Sequence, residues 1–174
     1  MKSMRRLPAL LCIVALIATT VADAIERTTA LPLSAFPRES IVIETPGARR
    51  HVFEVWRADT PATRAQGLMF VTDLAPGRGM IFVYARRQQP GMWMKNTLIP
   101  LDMLFVDAEG CVVHVHERAE PGSLETIISP VPASLVVEIR GGLARELGLD
   151  RGDRVLRPEA GWPASPSAYC GRAD

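Results

Sequence analysis

Beyond residue 31, glycine and proline punctuate this chain so often that no long helix has room to form. Its 174 residues include 13 Gly and 14 Pro. Between these breaks the apolar residues recur with a period of two, the mark of a strand with one face buried. In His51–Arg57, Val52, Glu54 and Trp56 take one face, and His51, Phe53, Val55 and Arg57 the other. In Ser134–Arg140, Leu135, Val137 and Ile139 alternate against Ser134, Val136, Glu138 and Arg140. Further strands are read at 41–44, 80–84, 101–107, 111–118 and from Arg154 onward, with an extended segment over 92–97. Pro46-Gly47 and Asp107-Ala108-Glu109-Gly110 supply hairpin turns. Asp59-Thr60-Pro61 starts a short helix that Gly67 stops, and Leu143–Leu147 makes a second, ended by Gly148. Leu68, Met69 and Phe70 read as an apolar plug into the core, and Ala85–Gly91 as a polar loop suited to binding contacts. The sum predicts a mainly β, mostly antiparallel fold with two short helices.

Near the end of the chain a strand, a glycine-flanked short helix and the Arg151-Gly152-Asp153 turn lead into a last strand. That arrangement resembles the Gly-Asp box of cradle-loop barrels. The resemblance implies a small β-barrel over residues 39–158, a single domain.

The two ends of the chain have other roles. Lys2, Arg5 and Arg6 precede the apolar run Leu10–Ile17, and Ala22-Asp23-Ala24 has the small-x-small form of a cleavage site. Residues 1–24 therefore read as a signal peptide cut after Ala24, followed by a linker over 25–38. The apolar run is too short for a membrane span, so no stable anchor is expected after cleavage. This address is the periplasm or the medium, where disulfides persist. Cys111 and Cys170 are the cysteines beyond the signal segment. A bridge between them would close a loop of about 60 residues, worth about 4 kcal/mol, and would tether the tail 159–174. The alternative is a half-buried strand Cys111 and a free Cys170. The formal net charge is +1, which offers no basic face for a nucleic acid.

The segment Trp93–Asp102 carries the chemistry. Of 20 basic residues, Lys95 is the only lysine beyond Lys2, and Asn96 is the only asparagine in the chain. Their adjacency, against a background that otherwise uses arginine, suggests that a compact ammonium is required there. Gly67-Leu68-Met69, Gly79-Met80-Ile81-Phe82, Trp93-Met94-Lys95-Asn96-Thr97, Ile99-Pro100-Leu101-Asp102 and Asp107-Ala108-Glu109-Gly110 follow one another as in a bacterial and archaeal family of unknown function. On these motifs the chain, over roughly residues 40–158, resembles DUF family 192. That family has no established activity, and neither cysteine falls in its motifs.

As a binding site, Lys95, Asn96, Thr97 and Asp102 offer an ammonium, an amide, a hydroxyl and a carboxylate beside the Trp93 ring. Arg64, Met69, Met80 and Met94 are candidate neighbours. A sparse polar set on an apolar pocket suits a small molecule, a glycan or an extended peptide. The leading expectation is a non-enzymatic exported binding domain, with no cofactor. A desolvated Lys95 could alternatively act as nucleophile or base, with Asp102 as its partner. No Gly-x-Ser-x-Gly, His-Glu-x-x-His or phosphate loop is present. A third reading is a copper carrier, because thioethers and imidazoles bind soft metals: Met92, Met94, His114 and His116 are its candidate ligands. The plain structural reading is a buried Lys95–Asp102 ion pair.

Overall fold

The computed structural model describes residues 27, 29–162 and 170–171. The signal segment with its cleavage point and most of the C-terminal tail lie outside the described residues. The chain clusters into two units, Met1–Pro32 and Leu33–Asp174, and the second holds everything that follows. Its strands are β1 (Arg38–Glu44), β2 (Arg50–Ala58), β3 (Arg78–Gln88), β4 (Gly91–Met92), β5 (Leu101–Val106), β6 (Val112–Ala119), β7 (Ile127–Ile128), β8 (Ala133–Arg140) and β9 (Arg154–Leu156). The helices are α1 (Pro61–Gln66) and α2 (Leu143–Leu147). Thr60 caps α1 through its side chain and Gly67 closes it, as the Thr-Pro start signal implies.

Seven strands form one sheet in the order β6-β5-β8-β3-β2-β1-β9, and β4 pairs with β7 as a separate ribbon. Neighbours are antiparallel except β2 and β3, which run parallel with α1 in the crossover between them. The sheet curls into a half-barrel. Its two edges meet at one end, where Cys111 bridges to Arg154 and Val112 N–H donates to the Asp153 carbonyl at 2.8 Å. The Cys111–Cys170 disulfide sits at this seam and ties the tail to it.

Both faces of the sheet are buried. The inner face carries Ile41, Ile43, Phe53, Val55, Ile81, Leu104, Val137 and Ile139, closed over by Leu143 and Ala144 of α2. The outer face carries Met80, Phe82, Met103, Phe105 and Val136, and Leu68, Met92 and Met94 cover it. Two-sided burial explains why every residue of β5 is buried, where a one-sided sheet would show alternation.

Several local expectations differ from what is found. The polar loop expected at 85–91 is a strand up to Gln88, which pairs with Ala133 across an irregularity in register. Its side chains are exposed, and backbone pairing is indifferent to their polarity. The extended segment expected over 92–97 ends at Met92. Lys95 and Asn96 form a turn, closed by Thr97 N–H donating to the Met94 carbonyl at 3.0 Å. Asn96 sits at φ 56°, a left-handed conformation that asparagine tolerates better than most residues. Of the apolar plug, Leu68 is buried while Met69 and Phe70 are half-buried. The expected linker ends in a 3-10 turn, Leu33–Ala35, beyond which Phe36 is buried in the outer layer.

Asp102 is fully buried, yet it belongs to the frame. It lies opposite Ile139 on the inner face. Its carboxylate accepts from the N–H groups of Arg118 at 2.7 Å, Gly142 at 2.9 Å and Ala144 at 2.8 Å. The Lys95–Asp102 ion pair is absent, since the two residues approach the sheet from opposite faces. Gly142 has φ +87°, and a Cβ on Gly141 would meet Pro100 at 2.8 Å, so the approach of α2 to this carboxylate requires both glycines. Replacing Asp102 by Asn sets an amide against amide donors. We expect a loss of about 2–4 kcal/mol in urea unfolding, because buried donors lose a charged acceptor.

Candidate functional site

The covering layer leaves a recess against the outer face. It is lined by Arg64, Gln66, Gly67 and Leu68 from α1 and its end, Met69, Phe82 of β3, Met92, Trp93, Lys95 and Thr97 of the cover, and Glu138 of β8. Its volume is about 20 Å³, room for a single water-sized group.

Local structure holds these groups in place. The Lys95–Asn96 turn is clamped from two sides: Phe70 N–H donates to the Asn96 carbonyl at 2.9 Å, and Gly122 N–H to the Met94 and Thr97 carbonyls at 3.1 Å. Asn96 also reaches the Met69 sulfur, with Nδ2 4.0 Å from Sδ. The Lys95 Nζ lies 6.0 Å from the centre of the Trp93 ring, which is itself 47% exposed at the rim. Arg64 donates through Nη1 to the Asp59 and Val83 carbonyls at 2.7 and 3.0 Å, and its guanidinium lies 5.2 Å from the Tyr84 ring centre. Tyr84 donates to the Met92 sulfur at 3.6 Å. Burial, with a smaller contribution from the Glu138 charge and against the pull of Arg64, pushes the Tyr84 phenol up to about 12.

Glu138 at the recess was not among the residues singled out by sequence. It stands between Met80 on β3 and Met103 on β5, its direct partners across the sheet, and is 3% exposed. Among the described residues its carboxyl has no hydrogen-bond or ion-pair partner. Burial alone pushes it up to about 8. In the sequence it shared the polar face of an alternating strand, and nothing there revealed that this face would be covered. The one available hint was Val136, an apolar residue on that same face.

The structure therefore brings Arg64, Met69, Trp93, Lys95 and Thr97 to one recess. Asn96 forms the turn above it, Met80 flanks Glu138, Met94 is packed in the covering layer, and Asp102 lies on the other side of the sheet. His114 and His116 lie opposite Phe105 and Met103, with the His114 ring 5.6 Å from that of Phe105. Burial and the neighbouring His116 lower the His114 pKa. Among the described residues no three His, Cys, Asp or Glu side chains gather as a metal site, a count that leaves thioethers aside. A larger cavity, about 420 Å³, lies by the β1–β2 turn and Cys170, but none of the expected binding residues reaches it.

Glu138 makes a pH-dependent cost visible. Its folded pKa, about 8, lies above the ordinary value of 4.5. From about pH 4.5 to 8 the unfolded chain releases a proton that the folded chain retains, so stability falls as pH rises across that window. Glu138→Gln removes this dependence. Chemical unfolding should find the variant roughly 3–6 kcal/mol more stable than the parent at pH 8, with the difference gone at pH 4.

The profile of DUF192, a family described as uncharacterised, matches residues 41–156. No match was found among curated proteins. A crystal structure from Sinorhizobium meliloti, provisionally described as a transcription regulator, is 37% identical with a TM-score of 0.69, covering 71% of this chain and 95% of that one. A crystal structure of a protein of unknown function from Novosphingobium aromaticivorans is 36% identical with a TM-score of 0.69, covering 74% of this chain and 91% of that one. With its motifs, its half-barrel and this match in hand, the chain belongs to the uncharacterised family DUF192.

Proposed function

We propose that this protein is an exported, non-enzymatic binding domain whose ligand enters the recess beneath Trp93–Thr97. The observation that carries the reading is Glu138: a buried carboxyl, without a hydrogen-bond or ion-pair partner among the described residues, at a recess whose walls bring an ammonium, a guanidinium, a hydroxyl and an exposed indole. A buried acid left unpaired lowers stability, and such groups concentrate where a ligand completes them. A recess of about 20 Å³ admits only a terminal group, so the body of a small molecule, glycan or peptide would lie outside it, against the Trp93 rim. α1 and α2, six and five residues long, are too short to read a DNA groove, and the provisional description of the Sinorhizobium relative is not carried over. Export is supported by the disulfide and by the basic-then-apolar start of the chain. Among the described residues no helix is long and apolar enough to cross a membrane.

A second reading, a soft-metal carrier, draws on a row of side chains across four paired strands: Met80, Glu138, Met103 and His116. Arg64 lines the same recess and its charge opposes a cation there, so the organic ligand is preferred. Metal analysis of protein from copper-supplied cells, with and without Met103→Leu, separates the two.

The scarcity of lysine gives a direct test. Because Lys95 is the only lysine beyond Lys2, an amine-reactive acetylating reagent reports on it with little background. Ligands from a panel of amino acids, short peptides, organic acids and oligosaccharides should slow acetylation of Lys95 in a mass-spectrometric assay. Lys95→Arg should keep measurable affinity for the same ligands. Failure of every compound to protect Lys95 defeats the binding reading, and an activity abolished by arginine would favour amine chemistry. The exported protein should begin at Ile25 on N-terminal sequencing.

A further inference from the structure

We propose that the Cys111–Cys170 bridge is a thiol-exchange site: a low-molecular-weight thiol with a polar body enters the cavity by the β1–β2 turn, attacks Cys170 and stays there as a mixed disulfide. The inference is independent of the binding reading above, since this cavity and the recess share no lining residue.

Access selects the sulfur that reacts. Both cysteines are half-buried, but Cys170 lines the cavity and Cys111 does not. A nucleophile arriving through the cavity therefore meets Cys170 Sγ. The volume, about 420 Å³, lies in the range of about 300–1,000 Å³ that holds small organic molecules. The lining also selects the body of the thiol. Thr45 is 6% exposed and lines the cavity, and its Oγ1 is buried without a hydrogen-bond partner. A buried hydroxyl is ordinarily satisfied, and a polar group of the incoming molecule would satisfy this one. Glu44 and Arg50, in the same lining, pair with each other at 3.2 Å. The occupant is thus a thiol that carries hydrogen-bonding groups, such as an amino-acid or short-peptide thiol.

The chemistry is favoured by a cation at the reacting atom. Arg154 directs Nη2 to Cys170 Sγ at 3.8 Å. The attacking species is a thiolate, and negative charge spreads over three sulfurs as it attacks. A guanidinium held against the central sulfur draws the thiolate in and stabilises that charge. The thiolate forms a bond to Cys170 Sγ while the bond to Cys111 breaks. The electron pair of the broken bond leaves on Cys111 Sγ, which takes a proton from water. The Asp107 carboxylate, which accepts from the Cys111 N–H at 2.9 Å, disfavours a lasting anion there. The products are a mixed disulfide on Cys170 and a thiol on Cys111. A second thiolate attacking the sulfur of the bound thiol frees Cys170 and leaves with that thiol as its disulfide.

The fold does not need the bridge to keep the seam closed. Val112 N–H donates to the Asp153 carbonyl, Gly152 N–H to Val112 and Val155 N–H to Gly110, each at 2.8 Å. The Cys111 carbonyl accepts from the Asp107 N–H at 2.9 Å. These bonds hold Cys111 and both sheet edges in place when the sulfurs part. Exchange therefore unties the tail at Cys170 and leaves the half-barrel closed.

The experiment follows mixed-disulfide formation on the folded, oxidised protein by intact mass and peptide mapping, with glutathione as the thiol, and repeats it in urea. Glutathione is expected on Cys170, at a rate within about tenfold of that in urea. The rate should saturate with glutathione concentration, and the near-ultraviolet circular dichroism should be retained. Arg154→Gln should slow the folded reaction about tenfold and leave the reaction in urea unchanged. Arg154→Lys should restore most of the rate, and Thr45→Val should raise the concentration needed for half-saturation. A bridge that reacts in urea but resists glutathione when folded overturns the assignment. So does an adduct on Cys111, a rate strictly proportional to glutathione concentration, or Arg154→Gln reacting as fast as the parent. Reduction by a thioredoxin-type protein dithiol with glutathione inert also overturns it, in favour of exchange between proteins.

Discussion

Three backbone amides from two separate elements meet on one carboxylate, and the mouth of the half-barrel depends on that meeting. Asp102 joins the end of β6, through Arg118, to the start of α2, through Gly142 and Ala144. The two α2 amides belong to a helix too short to stand alone, whose first N–H groups need an acceptor. Here the acceptor comes from a neighbouring strand, because Gly142 offers no side chain at the cap. Leu143 and Ala144 are then pressed onto the inner core. The same carboxylate thus sets where α2 sits, how β6 turns at Arg118, and how closely Gly141 approaches Pro100.

With the inner face closed by α2, the outer face must be covered too, since the central strands are apolar on both sides. Leu68 after α1 and the stretch Met92–Thr97 do this, and their closure turns a polar position on β8 into a buried one. The comparison with Glu39 is instructive. Glu39 is also buried, but Arg157 meets it with two hydrogen bonds of 2.8 and 2.9 Å, a fork-to-fork geometry that returns much of the desolvation cost. Glu138 has nothing comparable. A fold that pairs one buried glutamate so fully can evidently supply a partner where stability is the requirement. The bare second glutamate is therefore an argument for a partner that comes from outside the chain.

Much of this was legible in the sequence because it is local. The Thr-Pro start of α1, the Gly-stopped helices, the Asp-Ala-Glu-Gly hairpin and the period-two runs each follow from a few neighbouring residues. The disulfide, left open between a bridge and a free thiol, proved to be formed. What was not legible depends on which layer lies over which. Period-two alternation says that Glu138 and Leu135 face opposite ways, but not that both faces are covered. Asp102 looked like a companion of Lys95 because the two lie only seven positions apart in sequence. The turn at Lys95–Asn96 and the strand that follows send them to opposite faces of the sheet. The length of β3 was missed for a related reason: Arg86, Arg87 and Gln88 look like loop residues, and only the pairing of Gln88 with Ala133 beyond an irregularity in register carries the strand through them.

The two scarce residues that drew attention to this segment turn out to have different explanations. Asn96 occupies a left-handed position in a tight turn, and a residue that tolerates this backbone is sufficient reason for an asparagine there. Lysine has no such backbone reason. Arginine is abundant in the chain and would satisfy a surface position equally well, so a structural account of Lys95 must rest on what its ammonium meets. The turn built by Asn96 directs that ammonium beside the Trp93 ring and into the recess that Glu138 also lines. One scarce residue shapes the backbone so that the other can be aimed, and the adjacency that stood out in the sequence is that coupling of turn to recess.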